Sequence, residues 1–543
     1  MLDLDIAFEK AQEGPSEAQE ATIAPQVTPT YEDFNYDDLQ TYAGLDCIAT
    51  SELLARLMPA IAEEEVFYAP DEKNRKTTTV APAIIQSVLD IEMVAHEFIV
   101  DLEINGIHYD VEKNRIIGNQ MREEISVLED RIFSQIGKKL EFDSGAKIAD
   151  FLYNERGFKP PSTTKSGEPA TDGDALMTLA GLEPLKGKYV APNPELQWLA
   201  DMAKRKDISS VYNSFIATYV EDWVKRDGRI HPSYNLHGTS SFRITGSDPN
   251  LTQLPRPKHG YNVRVCYDVE TGKVFISFDF SSAEVKILAN LSKEPAMLKA
   301  IADGLDFHAF SASEMNGIPY DEFIEAISDD KHPNYKTFKN LRTIAKVLTF
   351  SLLYGSSVGG IAMQLFLETS EAQRLVDLYF TSFPGVRAYI ESTHLMAQWN
   401  NFILTPFGQR KRAYGAYPCF KATAAYNASL RNAQNVSIQS PTSTLGLIVF
   451  ANLNEAIKPF GAKSICTVYD SIEIEAPINR AAEVIETCYY YLDDWPLEQF
   501  KWLELPIGCE GDIGFNWGET KIVHRGVTQA HIDDVLAELR LAA

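Results

Sequence analysis

The sequence predicts an α+β fold in which long helices outnumber the strands. Apolar residues recur at helical spacing through residues 87–105 and 110–136. Residues 273–279 have the pattern of a strand, and residues 281–292 then change to helical spacing. Residues 464–475 read as a β-hairpin. Because single hydrophobic cores rarely grow past about 250–300 residues, the 543 residues of the chain are enough for several packed units.

The composition describes a globular protein, with 45% hydrophobic and 23% charged residues. No apolar run approaches the roughly 18–20 residues of a membrane span, and residues 1–5 are acidic where a secretory signal would be basic. The six cysteines are scattered, with no CxxC pair and no zinc-ligand spacing, so we expect them to be reduced and buried. These features argue against a membrane or secreted protein and predict a cytoplasmic one.

The formal net charge of −26 argues against general nucleic-acid binding. Residues 1–40 hold ten acidic residues and one lysine, so this segment alone contributes −9. Any surface for DNA must then be local, and basic residues do cluster at 256–264, 336–346 and 410–412. Each of these clusters is also compatible with an ordinary solvated surface.

The first 57 residues divide into a tail and a helix. Residues 11–35 are rich in Glu, Gln, Ala, Thr and Pro, which favours a flexible segment over a packed element. Helical spacing of apolar residues then runs from Tyr42 to Leu57. We therefore expect an acidic flexible tail over residues 1–35, followed by a helix.

Residues 342–355 carry the pattern that says most about function. Four unlike residues recur at every fourth position of this stretch: Arg342, Lys346, Phe350 and Tyr354. On a helix of about 100° per residue they drift by only about 40° per step, so a helix would align two cations and two aromatic rings along one stripe. Cations suit phosphates, and aromatic rings offer stacking planes for bases. A surface helix with solvated basic residues is the alternative.

Two carboxylates stand near strand ends on either side of that helix in the sequence. Asp279 ends the strand at 273–279, and Asp470 lies near the turn of the hairpin at 464–475. An Asp in such a position can direct its oxygens toward a hard cation in a cleft. The pair fits a site for two Mg²⁺ ions about 3.5–4 Å apart, whereas either Asp alone is explained by helix or turn capping.

Taken together, these segments resemble the family A DNA polymerases, the DNA polymerase I-like enzymes of bacteria and phages. The resemblance runs from about residue 42 to residue 517. The segments that carry it, in chain order, are 241–255, similar to the family's GRLSSTDPNLQNIP; 279–292, similar to DYSQIELRVLAHLS; Asp306-Phe307-His308, similar to DxH; Arg342, Lys346, Phe350 and Tyr354-Gly355, similar to the nucleotide-binding helix; 431–439, similar to RxxxNxxxQG; and Tyr469-Asp470-Ser471, where the family has His-Asp-Glu.

The resemblance implies a right-hand polymerase fold, with an antiparallel palm sheet and a helical thumb and fingers. The implied division of the chain is an acidic tail (1–35), an exonuclease remnant with a linker (36–85), the thumb (86–235), the first part of the palm (236–290), the fingers (291–425), the second part of the palm (426–520) and a C-terminal extension (521–543).

The implied reaction is the template-directed transfer of a deoxynucleotidyl group from a dNTP to a primer 3′-hydroxyl. Asp279 and Asp470 are the implied catalytic metal ligands, with two Mg²⁺ ions as cofactors. Lys346 is the third implied catalytic residue, because it can offset charge on the leaving pyrophosphate. Glu284 is the implied steric gate against a ribose 2′-hydroxyl. The implied dNTP-binding residues are Arg342, Lys346, Phe350, Tyr354, Glu284 and His308.

Primer-template DNA is the implied partner of the chain. Several polar side chains would read the minor-groove acceptors that all correct base pairs share, which checks shape without reading sequence. The basic clusters and the resemblance together predict these DNA-binding residues: Arg243, Gln253, Arg264, Arg431, Asn435, Gln439 and Tyr469.

Two departures from the family pattern affect the predicted metal site. Tyr469 replaces a His that contacts the primer, and Ser471 replaces an accessory carboxylate. Glu473, two residues further on, is a weaker candidate for the missing acid.

Tyr42 and Asp46 resemble the last motif of the family's 3′–5′ exonuclease domain. The 41 residues before Tyr42 contain no strand-borne DxE motif, so we expect no working exonuclease in this chain. A separate exonuclease, helicase or clamp polypeptide is an expected type of partner. The abbreviated architecture favours a phage origin, with a role in phage DNA replication in the host cytoplasm.

Two other functions remain open from the sequence. A single-subunit RNA polymerase shares the palm carboxylates and the Lys, but Glu284 and Phe350 argue against it. A non-catalytic DNA-binding subunit is compatible with Ser471, whereas the presence of Asp279, Lys346 and Asp470 together argues against it.

Overall fold

The computed structural model describes residues 88–542 apart from 165, 183–188, 418, 420 and 422, and before them residues 65–71, 73, 75–81 and five isolated positions between 52 and 59. The chain divides into two compact units, residues 1–63 and 64–543. The predicted tail, Tyr42 and Asp46 all lie outside the described residues.

Helices dominate residues 88–223, as the apolar spacing predicts. The longest of them begins after Asp110, whose carboxylate accepts a hydrogen bond from the Lys113 N–H at 2.9 Å. It ends at Gly137, a residue with φ of 70°, so ordinary capping defines both ends. The helices are α1 (Val94–Asn105), α2 (Val111–Ile136), α3 (Gly145–Ala149), α4 (Gly173–Leu179), α5 (Gln197–Phe215) and α6 (Tyr219–Trp223).

An antiparallel sheet of eight strands supports the residues of interest. Its order is β11-β12-β8-β13-β7-β3-β4, and β14 pairs with β13. The strands of the protein are β1 (Glu65–Pro70), β2 (Lys76–Ala81), β3 (Ile107–Tyr109), β4 (Arg229–Ile230), β5 (Ser233–Asn235), β6 (Thr245–Ser247), β7 (Tyr267–Asp268), β8 (Lys273–Phe280), β9 (Phe402–Leu404), β10 (Arg410–Arg412), β11 (Lys463–Val468), β12 (Ser471–Pro477), β13 (Cys509–Asn516) and β14 (Glu519–Val523). The α+β prediction is therefore confirmed.

Strand β8 is the inner strand on which the sheet's core is built. Val274, Phe275 and Ile276 are all fully buried, so both faces of the strand are covered. The predicted alternation of exposed and buried residues is therefore wrong for this stretch. One face packs against helix α7 (Ala283–Ser292), which follows the strand directly, as the change in spacing predicts.

A second helical region separates α7 from the later strands. Phe323 and Phe338 stack within it, with ring centroids 4.9 Å apart, and join two of its helices. The helices are α8 (Pro295–Ala302), α9 (Phe307–Asn316), α10 (Tyr320–Ser328), α11 (Tyr335–Leu353), α12 (Val358–Leu365), α13 (Thr369–Ser382) and α14 (Pro384–Asn400).

The β1–β2 hairpin packs on the end of α14. The Asn400 side chain accepts from the Tyr68 N–H at 2.9 Å and donates to the Tyr68 carbonyl at 2.7 Å. Beside this pair, the rings of Phe67 and Phe402 lie 6.0 Å apart. The hairpin is therefore attached to the second helical region through both its backbone and a small apolar cluster.

The last part of the chain completes the main core. Helices α15 (Ala424–Ile457), α16 (Ala481–Tyr489), α17 (Trp495–Gln499) and α18 (Gln529–Ala542) follow in order. Ile532 and Leu536 of α18 are buried in the same cluster as β8. The segment predicted as an extension at 521–543 thus contributes both a strand and a helix to that core.

Two sequence expectations concern cysteines and membrane spans. Cys266, Cys466 and Cys488 are buried as expected and Cys509 is half-buried, but Cys419 is exposed. The expectation is wrong for Cys419 because it lies in the surface turn before α15. Among the described residues, no helix has the length and apolar character needed to cross a membrane.

Candidate active site

Two carboxylates predicted from the sequence lie at neighbouring strand ends. Asp279 is the second-last residue of β8, and Asp470 lies in the turn between β11 and β12. Strand register pairs Ser471, the residue after Asp470, with Asp279. The Phe280 N–H donates to the Asp470 carbonyl at 3.2 Å. Asp279 and Asp470 therefore share one wall of a cleft of about 330 Å³.

Negative charge accumulates at this end of the cleft. Burial raises the pKa of Asp279 to about 7; the charges of Asp470 and Glu510 add to the rise, and Arg256 opposes it. Burial also raises the pKa of Asp470, against the charge of Arg243. The two carboxylates lack enough positive charge from the protein to balance them, which is the electrostatic condition of a divalent-cation site.

The donor set also decides which cation fits. Across the described part of the chain, no three His, Cys, Asp or Glu side chains converge closely enough to hold a metal ion. Mg²⁺ commonly uses one or two carboxylates and takes its other ligands from water and phosphates. Asp279 and Asp470 fit that pattern.

Helix α11 presents the predicted stripe. The rings of Phe350 and Tyr354 stack, with centroids 6.2 Å apart and planes 26° from parallel. Arg342 donates to one oxygen of Asp306 through Nε at 2.9 Å and Nη2 at 2.7 Å. Lys346 is exposed, with no hydrogen-bond or ion-pair partner among the described residues. Its ammonium group is therefore available to an incoming anion.

Asp306 has two tasks that the sequence pattern does not reveal. Besides binding Arg342, its Oδ1 accepts from the N–H groups of His308 and Ala309, each at 3.0 Å, and so caps α9. The capping helix and the cationic stripe are thereby held in one arrangement.

His308 lies beside the stripe as a neutral ring. Burial lowers its pKa to about 4, the charges of Arg342 and Lys346 lower it further, and Asp306 opposes them. The ring centroid is 5.6 Å from that of Phe350. Its Nδ1 is buried and has no partner in the described structure. At pH 7 His308 can therefore offer a hydrogen bond but little positive charge.

Glu284, in the first turn of α7, joins the stripe to the opposite wall. Its carboxylate accepts from Arg243 Nη2 at 2.6 Å and from the Tyr354 hydroxyl. Burial and this bond raise the pKa of Tyr354. The Arg243 guanidinium in turn lies 5.8 Å from the ring of Tyr469, next to Asp470. A continuous set of contacts thus links the end of α11 to the acidic cleft.

Helix α15 carries three of the predicted residues at i, i+4 and i+8. Gly355 has φ of 69°, and a Cβ there would lie 3.2 Å from Arg431, so the Tyr-Gly pair requires glycine. The Asn435 Oδ1 is buried without a partner among the described residues. Gln439 is within hydrogen-bonding reach of Tyr354. All three therefore lie along the end of the stripe.

The remaining predicted residues lie in different settings. Tyr469 is 47% exposed at the rim of the cleft, with φ of 58°. Arg264 lines the cleft but already donates to the carbonyls of Pro255 and Leu254, at 3.1 Å and 3.0 Å. Gln253 is exposed and does not line this cleft.

Sequence reasoning missed most of the acidic residues around Asp279. Register places Glu510 beside Asp279, and both Glu473 and Asp512 beside Ser277. The one available signal was the spacing of two within Glu473/Glu475 and Glu510/Asp512, which puts each pair on one strand face. The pairing itself joins residues more than 190 positions apart, so no local pattern reveals it.

Comparison with known proteins supports the same interpretation. A family model described as DNA polymerase family A matches residues 111–519. The DNA polymerase I of Chloroflexus aurantiacus is 27% identical over 525 residues, or 95% of this chain and 50% of that protein. The thermostable DNA polymerase I of Thermus aquaticus is 27% identical over 435 residues, or 80% of this chain and 48% of that protein. The chain thus spans about half the length of the curated relatives it matches.

A solved structure shares the fold. The POL domain of Pol1 from M. smegmatis, in complex with DNA primer-template and dNTP, superposes with a TM-score of 0.66 at 24% identity. The match covers 79% of this chain and 70% of that one. The prediction of a right-hand polymerase fold is thereby confirmed. Because the family model matches well over half of its residues, this chain belongs to DNA polymerase family A.

Proposed function

We propose that this chain is a template-directed DNA polymerase that transfers a deoxynucleotidyl group from a dNTP to a primer 3′-hydroxyl. The observation that carries the proposal is the paired carboxylates Asp279 and Asp470, connected through Arg243 and Glu284 to the stripe on α11. Family membership and the primer-template and dNTP in the M. smegmatis complex support it.

Asp279 and Asp470 are the proposed ligands of two Mg²⁺ ions. The raised pKa values of both carboxyls support this assignment, because an uncompensated acidic pair is stabilised by a cation. Bound Mg²⁺ would supply Lewis-acid activation of the primer hydroxyl and neutralisation of charge on the leaving pyrophosphate.

The proposed dNTP site extends along α11. Arg342 and Lys346 bind the triphosphate, and Lys346 is the cation free to do so without breaking an existing contact. Neutral His308 donates a hydrogen bond to a phosphate oxygen. Phe350 packs on the nucleotide, and Tyr354 occupies the template-base position until the helix moves.

The proposed DNA surface is local, consistent with the overall negative charge. Phosphate contacts position the duplex, and minor-groove contacts check base-pair shape. The residues proposed for it are Arg243, Gln253, Arg264, Arg431, Asn435, Gln439 and Tyr469.

We also propose the polymerase subdivision of the chain: thumb 86–235, palm 236–290 and 426–520, and fingers 291–425. Strands β3 and β4 join the palm sheet from the thumb segment, which supports a thumb anchored at both of its ends. The cytoplasmic location, the phage replication role and the helicase or clamp partners stay predictions.

The experiment that tests the function is primer extension by the purified chain with Mg²⁺ and one dNTP at a time. We expect incorporation only of the nucleotide complementary to the template base. Incorporation of NTPs in preference to dNTPs would favour an RNA polymerase instead. DNA binding without extension would favour a non-catalytic subunit.

Glu284→Ala is expected to admit ribonucleotides. Removing a carboxylate that clashes with a 2′-hydroxyl should cost about 1.4–2.8 kcal/mol of discrimination, or about ten- to a hundredfold in the ratio of kcat/KM for dNTP over NTP. The control is Tyr354→Phe, which removes the hydroxyl that bonds Glu284 but keeps the carboxylate. An unchanged ratio in Glu284→Ala would contradict the gate.

The exonuclease prediction stays a prediction, because Tyr42 and Asp46 lie outside the described residues. We expect the purified chain to leave a mispaired primer 3′ end intact in the presence of Mg²⁺ and the absence of dNTPs. Shortening of that primer would contradict the expectation, provided that Asp46→Ala abolishes it. The same assay with an added exonuclease polypeptide serves as the positive control.

A further inference from the structure

The floor of the acidic cleft is formed by a carboxyl group that no motif assigns. Glu473 is only 1% exposed and lines the cleft beneath Asp279. Its Oε1 accepts from the Ser471 hydroxyl at 2.8 Å and from the Ser277 hydroxyl at 3.4 Å. Its Oε2 is buried and has no hydrogen-bond partner in the described structure.

Such an oxygen is costly in a folded protein. Leaving a buried acceptor unsatisfied costs about 1–3 kcal/mol, and native structures rarely retain one without a function. Ser471 cannot relieve it, because its single hydroxyl proton is already shared between Glu473 and the Val468 carbonyl at 3.2 Å. The free oxygen therefore requires a partner from outside the protein.

Glu475 shows how the same strand treats a structural carboxylate. It lies two residues further on, on the same face of β12, and is equally buried at 1% exposure. Its oxygens, however, lie 3.1 Å from Arg229 and 3.3 Å from Lys463, so two cations neutralise it. Glu473 has no such ion pair among the described residues, and its charge faces the cleft instead.

The charges around Glu473 favour a cation in the cleft. Burial raises the pKa of Glu473 to about 8, and the Asp279 charge adds to the rise. The two serine hydroxyls and the charge of Arg264 oppose it. A divalent cation at Asp279 and Asp470 would reverse this balance and stabilise the ionised carboxylate.

We infer that Glu473 is a positioning residue for the divalent cation of the cleft, and that its free oxygen accepts a hydrogen bond from a water molecule bound to that cation. A water bridge is required because the described carboxylates do not converge on one point in threes. Register supports this, since Glu473 lies one residue pair below the Ser471–Asp279 pair. The inference rests on the proposed function, because it presumes a cation at Asp279 and Asp470.

The test measures Mn²⁺ binding to the full chain without DNA or dNTP, by electron paramagnetic resonance of the free ion. Glu473→Gln is expected to weaken binding about tenfold, the usual effect of losing a residue that holds a metal-bound water or ligand. Glu473→Asp keeps the charge but withdraws it by one methylene, and should give a smaller loss. The matched control is Asp512→Asn, which removes a charge on the other side of Ser277.

The outcomes separate this inference from the proposed function. Asp279→Asn must abolish tight Mn²⁺ binding; if it does not, the cation site itself is wrong, and with it the basis of both. If Asp279→Asn abolishes binding but Glu473→Gln binds Mn²⁺ as the wild type does, the inference alone is overturned. Equal losses in Glu473→Gln and Asp512→Asn would also overturn it, because they would reduce the effect to general charge. Thermal melting of each variant in chelator confirms that it is folded.

Discussion

Asp279→Asn is expected to reduce primer extension by about a thousandfold, or about 4 kcal/mol of transition-state stabilisation. Asn has the shape of Asp but cannot carry the negative charge that holds a hard cation. Single-turnover extension of a primed template measures the loss. The control is Asp303→Asn, at the exposed end of α8 and outside the cleft, which should extend at the wild-type rate. Retention of activity in Asp279→Asn would sink the assignment of the metal site.

The same variant is expected to be more stable than the wild type in the absence of divalent cations. The pKa of Asp279 is about 7 in the fold, above the ordinary value of 3.8. Between those two pH values the folded chain keeps a proton that the unfolded chain loses, so the stability of the wild type falls as pH rises from about 4 to about 7. Asn cannot lose a proton and avoids this fall.

Melting curves in chelator at pH 5 and pH 8 check the sign. The melting temperature of Asp279→Asn should exceed that of the wild type by more at pH 8 than at pH 5. Added Mg²⁺ should stabilise only the wild type. A difference that shrinks with rising pH would show that Asp279 is not the carboxyl that holds the proton.

Lys346→Ala is the second large effect. We expect kcat/KM for dNTP to fall about a hundredfold, since a preorganised cation at the leaving phosphates supplies about 3 kcal/mol. Lys346→Arg keeps the charge and should recover part of the loss. The control is Lys299→Ala, an exposed lysine in the last turn of α8. An effect of less than about threefold would contradict the role of Lys346.

A spectroscopic measurement accompanies the kinetics. The charge of Lys346 helps to lower the pKa of His308. In Lys346→Ala the His308 pKa should therefore rise, and nuclear magnetic resonance of the imidazole protons measures it. A lost rate with an unmoved His308 titration would indicate that the Lys346 ammonium points away from this site.

The stripe on α11 and the hairpin around Asp470 were predictable because each is a local pattern. Helical spacing places Arg342 and Tyr354 on one face, and two strands joined by a short turn expose Asp470, whatever the remainder of the chain does. The acidic surroundings of Asp279 were not predictable, because Glu473 and Glu510 reach it only through pairing of strands distant in the sequence.

Two further misjudgements have the same origin. The alternating pattern of β8 predicts one exposed face, but α7 and the opposite layer cover both, so Phe275 is as buried as Val274. The contact between Arg342 and Asp306 unites two residues of the implied nucleotide site, yet sequence spacing alone gives no reason to pair them. Tertiary packing decides both features.

The attachment of the β1–β2 hairpin to α14 has a mechanical consequence. Ala81 ends β2 and Val94 begins α1, with a helical turn from Val88 between them. Seven covalent steps from Ala81 to Val88 span at most about 25 Å when fully extended, at about 3.3–3.6 Å per residue. The hairpin therefore acts as a leash of fixed maximum length between α14 and the start of α1. Any swing of α14 beyond that reach must first detach Tyr68 from Asn400, so the leash sets an upper limit on domain opening.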